Sequence, residues 1–360
     1  MPAAPGVPPG ARVAPSSPGT YNRVQTPKEL PLTTSDPKAF AQAQSQAAEH
    51  PPYLWWAGRV TPWEDANVHL TMVGWSAISA VFEGIRAYWS PQREDLYVFR
   101  LDEHLKRFQQ SIRFMRMKDP YGPEGIGGAI CELFRANGYR EDAYCQPLAY
   151  MGRTVPGYIA AEDIPAEVFI TNRAAPSNLG QGKVLHCCVS SWARISDNVL
   201  PPRAKAITNY QNSRYVSNEA RVNGYDAGII LNDRGKVAEG AYACIFIVRN
   251  GVAATPPITA GILESITRDS LIQMLGEMGI PVEQREIDRT ELYLADEAFL
   301  CGTLMEIAAV ASVDRYQLSN GAMGPVTQAL ESRFLQIVRG QDPKHQDWLT
   351  AVYAKATAAV

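Results

Sequence analysis

From Tyr53 onward the sequence alternates two kinds of segment, and no other feature limits its fold as strongly. Short apolar and aromatic runs between tight polar turns read as hairpin strands. Longer stretches with apolar residues every third or fourth position read as helices. Strands are expected at Tyr53–Gly58, Val68–Val73, Ala80–Tyr88 and Asp95–Arg100, the last two forming a hairpin across a turn with Pro91 and Arg93. More follow at Ala143–Met151, Ala166–Ile170, His186–Ser191, Gly228–Leu231, Ala243–Arg249, Val282–Glu286 and Glu297–Cys301. A helix is expected from Glu103 to Arg116, capped by Asp102, with Leu105, Phe108, Ile112 and Met115 on one face. Others span Pro123–Asn137, closed by Gly138, then Tyr210–Asn223, Thr267–Met278 and Val326–Val338. Hairpins mixed with helices predict an α+β (mixed α/β) fold.

The chain has 360 residues, more than one average core accommodates, so two lobes are expected. The turn-rich stretch Asn172–Gly182 marks their boundary. The resulting partition is an extension at 1–50, a smaller domain at 51–175, a linker at 176–182 and a larger domain at 183–360. The extension is so dense in Pro, Gly, Ser and Ala that it cannot bury enough apolar surface to order itself. Tyr21, Leu30 and Leu32 are its available anchors.

A net charge of −3 and a pI near 6.0 give no electrostatic reason to expect nucleic acid or an anionic membrane as partner. The six cysteines form no C-x-x-C pair and read as reduced thiols packed as small hydrophobes. The histidines are scattered, so no metal site is expected. Rossmann, P-loop and nucleophile-elbow motifs are missing. The N-terminus has neither a basic nor an apolar signal region, which makes the cytoplasm the default location.

What remains is a set of seven collinear segments: FEGIRAY (Phe82–Tyr88), FRLDEHLKR (Phe99–Arg107), AKAITNYQNS (Ala204–Ser213), EGAYACIF (Glu239–Phe246), ITRD (Ile266–Asp269), LYLADEAFLCGTLMEI (Leu292–Ile307) and GPVT (Gly324–Thr327). In this order they resemble the branched-chain amino acid aminotransferases of the fold-type IV enzymes that use pyridoxal 5′-phosphate (PLP). The resemblance runs from about Tyr53 to the C-terminal helix. It implies a two-lobed fold with the site between a smaller N-terminal and a larger C-terminal domain. Position alone would leave Lys205 an ordinary surface lysine; the pattern around it implies the amine that holds the cofactor. Glu239 is then the acid at the pyridine nitrogen and Tyr210 the donor to the ring's 3-oxygen. Arg107, the N–H groups of Ile266 and Thr267, and Thr303 form the phosphate clamp. Leu263 packs on the ring. Tyr144, Gln146 and the turn Gly302-Thr303-Leu304 are the substrate-binding positions.

The implied activity moves an amino group between a hydrophobic L-amino acid and a 2-oxo acid such as 2-oxoglutarate, in a homodimer or larger assembly. A same-fold lyase, an amine or D-amino acid transaminase, and a catalytically silent interaction protein are the alternatives. Four positions depart from the pattern. Gln146 stands where bacterial relatives usually carry arginine, and Ala77-Ile78 where they carry an aromatic-glycine pair. Cys244 replaces an asparagine, and Leu304-Met305 are bulkier than usual. With no charge at Gln146, weaker recognition of a second carboxylate is expected unless Arg153 or Arg194 compensates. One prediction concerns the extension: deleting residues 1–20 leaves the melting temperature and turnover unchanged. A loss of either in the truncated protein would mean that this segment takes part in the site or the assembly.

Overall fold

The computed structural model describes residues 50–69, 78–152 and 164–354. The extension, most of the Val68–Val73 strand and Arg153 lie outside these; Val68 and His69 themselves carry no strand. Eight strands open the fold: β1 (Tyr53–Trp56), β2 (Arg59–Pro62), β3 (Val81–Phe82), β4 (Ile85–Ser90), β5 (Asp95–Phe99), β6 (Met117–Lys118), β7 (Ala143–Met151) and β8 (Ile164–Ala174). They build a sheet in the order β5-β4-β7-β8-β1-β2, with β3 on β7 and β6 on β8. Two helices, α1 (Leu101–Phe114) and α2 (Gly122–Asn137), join its core. Leu105, Phe108 and Ile112 of α1 and Ile126, Ile130 and Phe134 of α2 pack with Val81, Ile85, Val98, Cys145 and Ala149. Cys145, Ala149 and Met151 of β7 enter this core, so the two-residue strand period turns Tyr144 and Gln146 to the opposite face.

The second sheet comprises β9 (Val184–Ala193), β10 (Ala227–Leu231), β11 (Val237–Gly240), β12 (Cys244–Arg249), β13 (Val252–Thr255), β14 (Val282–Gln284), β15 (Glu297–Gly302), β16 (Glu306–Val313) and β17 (Tyr316–Gln317). Its order is β11-β10-β9-β16-β15-β12-β13-β14, with β17 on β16. Helix α3 (Tyr210–Val222) packs on β9 and β10. Helices α4 (Ile266–Glu277) and α5 (Pro325–Val338) supply Leu271, Met274, Leu330 and Phe334 to a core with Phe246 and Phe299. The last strand, β18 (Leu349–Ala351), returns to the first sheet and pairs β5.

Three differences from expectation have physical causes. Helix α1 begins at Leu101, and its N-cap is Arg100, left-handed at φ 46°, rather than Asp102. Arg100 holds that conformation because its N–H donates to the Trp348 carbonyl at 2.6 Å and its guanidinium binds Glu103 and Asp269. β8 runs on to Ala174, since nine consecutive residues pair with β7, so the connector between the sheets starts later than Asn172. The sequence reading has no strand at Glu306–Val313 or Val252–Thr255. Both are alanine-rich, and alanine has little intrinsic strand preference.

The connector is held from both sheets. Arg86 of β4 donates to the Ala175 and Pro176 carbonyls at 2.5 and 2.8 Å. Glu306, at the start of β16, accepts from the Ser177 hydroxyl and the Asn178 N–H, both at 2.7 Å, and pairs with Arg86 at 3.5 Å. Both charged residues are buried, and Glu306 sits at φ 55°, where glycine is favoured. A buried pair broken on one side costs about 3–5 kcal/mol. Glu306→Ala should therefore lose about that much stability, whereas Glu306→Gly should lose about 1 kcal/mol less because it relieves the left-handed backbone. Chemical denaturation of both variants checks the order; an alanine variant as stable as wild type would contradict it.

Candidate active site

Lys205 reaches its place through backbone contacts on both sides. Its N–H donates to the Ser111 hydroxyl of α1 at 3.1 Å, and its carbonyl accepts from Phe82 N at 3.0 Å. Ile207 N donates to the Ala80 carbonyl at 2.9 Å, and Ala206 bridges Val81. The Asn209 amide closes the loop on the Pro201 and Ala204 carbonyls at 2.8 and 3.0 Å. The lysine ammonium then lies 2.5 Å from the Tyr210 hydroxyl and 4.8 Å from the centre of the Phe82 ring.

These groups open into a pocket of about 580 Å³, its mouth included, lined by Arg107, Arg194, Lys205, Tyr210, Glu239, Tyr242, Cys244, Leu263, Ser265, Cys301, Gly302 and Thr303 among others. Glu239, next to last in β11, is buried, with its carboxylate 2.9 Å from the Arg194 guanidinium and 3.2 Å from the Leu263 N–H. Burial pushes its carboxyl above the ordinary value, opposed by Arg194, the Leu263 N–H and Lys205. Arg194 also donates to the Gly261 carbonyl at 2.9 Å. Its guanidinium is thus committed to the acid, not relocated to stand in for an arginine at position 146.

At the other end of the pocket, helix α4 starts at Ile266. Its cap residue Ser265 accepts from Arg268 N at 3.2 Å, leaving the N–H groups of Ile266 and Thr267 without an acceptor in their own helix. Arg107 points here, donating to the Glu264 carbonyl at 2.6 Å. Gly302 and Thr303, at the end of β15, complete this side.

The fold therefore brings Arg107, Lys205, Tyr210, Glu239, Leu263, Gly302 and Thr303 to one pocket, with Ile266 and Thr267 adjoining Ser265. Tyr144, Gln146 and Leu304 are not among its lining residues. Tyr144 is buried against Gly84, where an added Cβ would press on the tyrosine hydroxyl and displace it. Leu304 and Ile78 are exposed, and Met305 is half-buried against the core of the second sheet and does not line the pocket. Sequence reading missed the pairing of Arg194 with Glu239, the capping Ser265, and Glu83, which grips Arg107.

The donor set fits PLP. A primary amine lies beside a phenol, a buried carboxylate occupies one end, and a guanidinium with free helix N–H groups occupies the other, where a dianionic phosphate is best held. Lys205 would hold the cofactor, Glu239 would face its ring nitrogen, and Arg107 with α4 would take its phosphate.

The comparisons agree with this class. Residues 80–313 match the amino-transferase class IV family. The chain is 38% identical over 306 residues to a probable branched-chain-amino-acid aminotransferase of Aquifex aeolicus, covering 84% of this chain and 97% of that one. The PLP form of the branched-chain amino acid aminotransferase from Thermobaculum terrenum superposes with a TM-score of 0.82 at 48% identity, covering 85% of this chain and 100% of that one. The T.th. branched-chain amino acid aminotransferase complexed with N-(5′-phosphopyridoxyl)-L-glutamate gives 0.79 at 36% identity, with 85% and 100% covered. The chain belongs to the class IV aminotransferases, PLP-dependent enzymes of fold type IV.

The Arg194–Glu239 contact generates a prediction. Removing the guanidinium in Arg194→Met leaves burial less opposed, so the Glu239 carboxyl rises further above its ordinary 4.5. A carboxyl raised by folding contributes stability below the unfolded value, and this is lost as pH climbs through the folded one. The melting temperature of the cofactor-free variant should accordingly fall more steeply than wild type between about pH 5 and 8. Parallel profiles would contradict the assigned contact.

Proposed function

We propose that this enzyme transfers the amino group of hydrophobic, branched-chain L-amino acids to a 2-oxo acid such as 2-oxoglutarate. The observation that carries the reading is the short contact between the Lys205 ammonium and the Tyr210 hydroxyl, set between a buried Glu239 and the Arg107 end of one pocket. Bound PLP supplies an aldehyde that condenses with amines and a ring that accepts electrons. With PLP bound, the Lys205 amine would be the acid–base group that moves a proton between the substrate Cα and the cofactor, in one direction in the first half-reaction and in reverse in the second. Tyr210 holds the lysine by a hydrogen bond and donates to the ring oxygen. Glu239, held by the Arg194 guanidinium at 2.9 Å, would face the ring nitrogen and accept its N–H. Arg107 and the first turn of α4 anchor the phosphate, so that cofactor and lysine keep their relative position through both half-reactions.

Substrate choice rests on the rim. Gln146 shares a sheet face with Tyr144, and a neutral amide there gives a carboxylate hydrogen bonds without charge. The named relatives are branched-chain enzymes, one of them holding a phosphopyridoxyl-glutamate, so a hydrophobic donor with glutamate as its partner has direct chemical precedent. We further propose a homodimer or larger assembly, a cytoplasmic location, and domains at 51–175 and 183–360, with β18 crossing back to the first sheet. Among the described residues no helix is long and apolar enough to cross a membrane.

The test is an amino-donor panel read by half-reaction rates. L-leucine, L-isoleucine, L-valine and L-methionine should react, and L-glutamate should react about tenfold more slowly, the worth of one charge-assisted contact. Gln146→Arg should recover glutamate without loss on leucine. Glutamate equal to leucine in wild type, or no gain in the arginine variant, would show a pocket built otherwise; no reaction with any of the aliphatic donors would overturn the activity.

A further inference from the structure

The FEGIR motif contributes a residue to which no role has been given. Glu83 lies between β3 and β4, fully buried, and its two oxygens are spent on the phosphate-end arginine: Arg107 Nε donates to Oε1 at 2.7 Å and an Arg107 terminal nitrogen to Oε2 at 2.8 Å. Oε2 also accepts from His104 Nδ1 at 2.8 Å and from Gly84 N at 3.3 Å. Burial alone would raise this carboxyl, but Arg107 and His104 hold it well below the usual carboxylate range. An ionised carboxylate only accepts, so the His104 bond requires the Nδ1–H tautomer, and burial lowers the pKa of that imidazole.

Arg107 has five N–H groups. One serves each Glu83 oxygen and one the Glu264 carbonyl, which leaves one on each terminal nitrogen. We propose that Glu83 is the positioning residue of the phosphate end: by fixing one edge of Arg107 it aims the two remaining N–H groups at the anion, and so selects phosphorylated over unphosphorylated cofactor. The proposal rests on the pocket being the PLP site.

Removing the carboxylate has two opposed consequences. It takes a negative charge away from a dianionic ligand, and it frees a guanidinium whose orientation depends on bonds of 2.7 and 2.8 Å. Contact hydrogen bonds between full charges are the strongest local interactions here, and a buried arginine without them turns toward other acceptors. Loss of aim therefore outweighs the relieved repulsion. The alternative is that Glu83 only neutralises Arg107 for the sake of the fold, in which case it has no preference between ligands.

The experiment measures dissociation constants of the cofactor-free full-length protein for PLP and for pyridoxal by visible titration, in wild type, Glu83→Gln and Glu83→Asp. Inorganic phosphate is titrated separately by thermal shift. Glu83→Gln should weaken PLP and phosphate by about tenfold or more and pyridoxal by less than about twofold. Glu83→Asp, which keeps the charge but is one methylene too short to bring its carboxylate to Arg107 from the same backbone, should show the same selective loss in smaller measure, and carries the test if the glutamine variant does not fold. In an Arg107→Lys background the Glu83→Gln change should have no further selective effect. Equal losses on PLP and pyridoxal, or unchanged or tighter PLP binding, overturn the positioning role while leaving the cofactor site intact. Failure of wild type to bind PLP at all overturns the cofactor reading itself.

Discussion

The site depends on how the segment around Lys205 is wedged between the two sheets. Its backbone is bonded to Phe82 of β3, to Ala80 just before it and to Ser111 of α1, while Tyr210, a few residues on, opens the helix that packs on the second sheet. A lysine carries several rotatable bonds and on a free loop would sample many positions. Here the backbone is fixed from both sides, and the ammonium lies against the Tyr210 hydroxyl and the faces of Phe82 and Tyr210. The placement of the Lys205 amine is thus a consequence of how the first sheet and the second meet.

The same junction is rich in buried charge, and each charge has a partner. Glu83 is matched to Arg107, Glu306 to Arg86, and Glu239 to Arg194. Such pairs add little net stability, because desolvation consumes most of the Coulombic gain, but they penalise any arrangement that separates them. Each has a consequence for the pocket. Glu83 fixes the Arg107 cation at one end of the pocket and Arg194 restrains the Glu239 acid at the other. Glu306 ties the connector to the strand that begins just after the Gly302–Met305 turn. Positional constraint, more than stability, is what these pairs contribute.

Much of this was legible in the sequence because it is local. The helix periodicity of α2, the alternation of β7 and the motif residues Lys205, Tyr210 and Glu239 all depend on neighbours a few positions away. Gly138 closes α2 in the left-handed conformation that its place in the sequence implies. What was missed is long-range or compositionally ambiguous. The central strand β16 reads EIAAVASV, fully buried, and apolar runs rich in alanine carry no period that separates strand from helix. The partners of Arg107 and Arg194 lie 24 and 45 positions away respectively, in Glu83 and Glu239, and no periodicity points to either. Arg100 as a left-handed helix cap was invisible for the same reason, since the Trp348 carbonyl that holds it comes from the far end of the chain.

The central claim is that Lys205, and no other lysine, bonds the cofactor. The direct measurement is to load the protein with PLP, reduce it with borohydride, digest it, and locate the phosphopyridoxyl mass by peptide sequencing. The account predicts a single labelled site at Lys205, with no label when the protein is reduced after exhaustive reaction with L-leucine. Label on another lysine, or spread over several surface lysines such as Lys106 and Lys344, would contradict it.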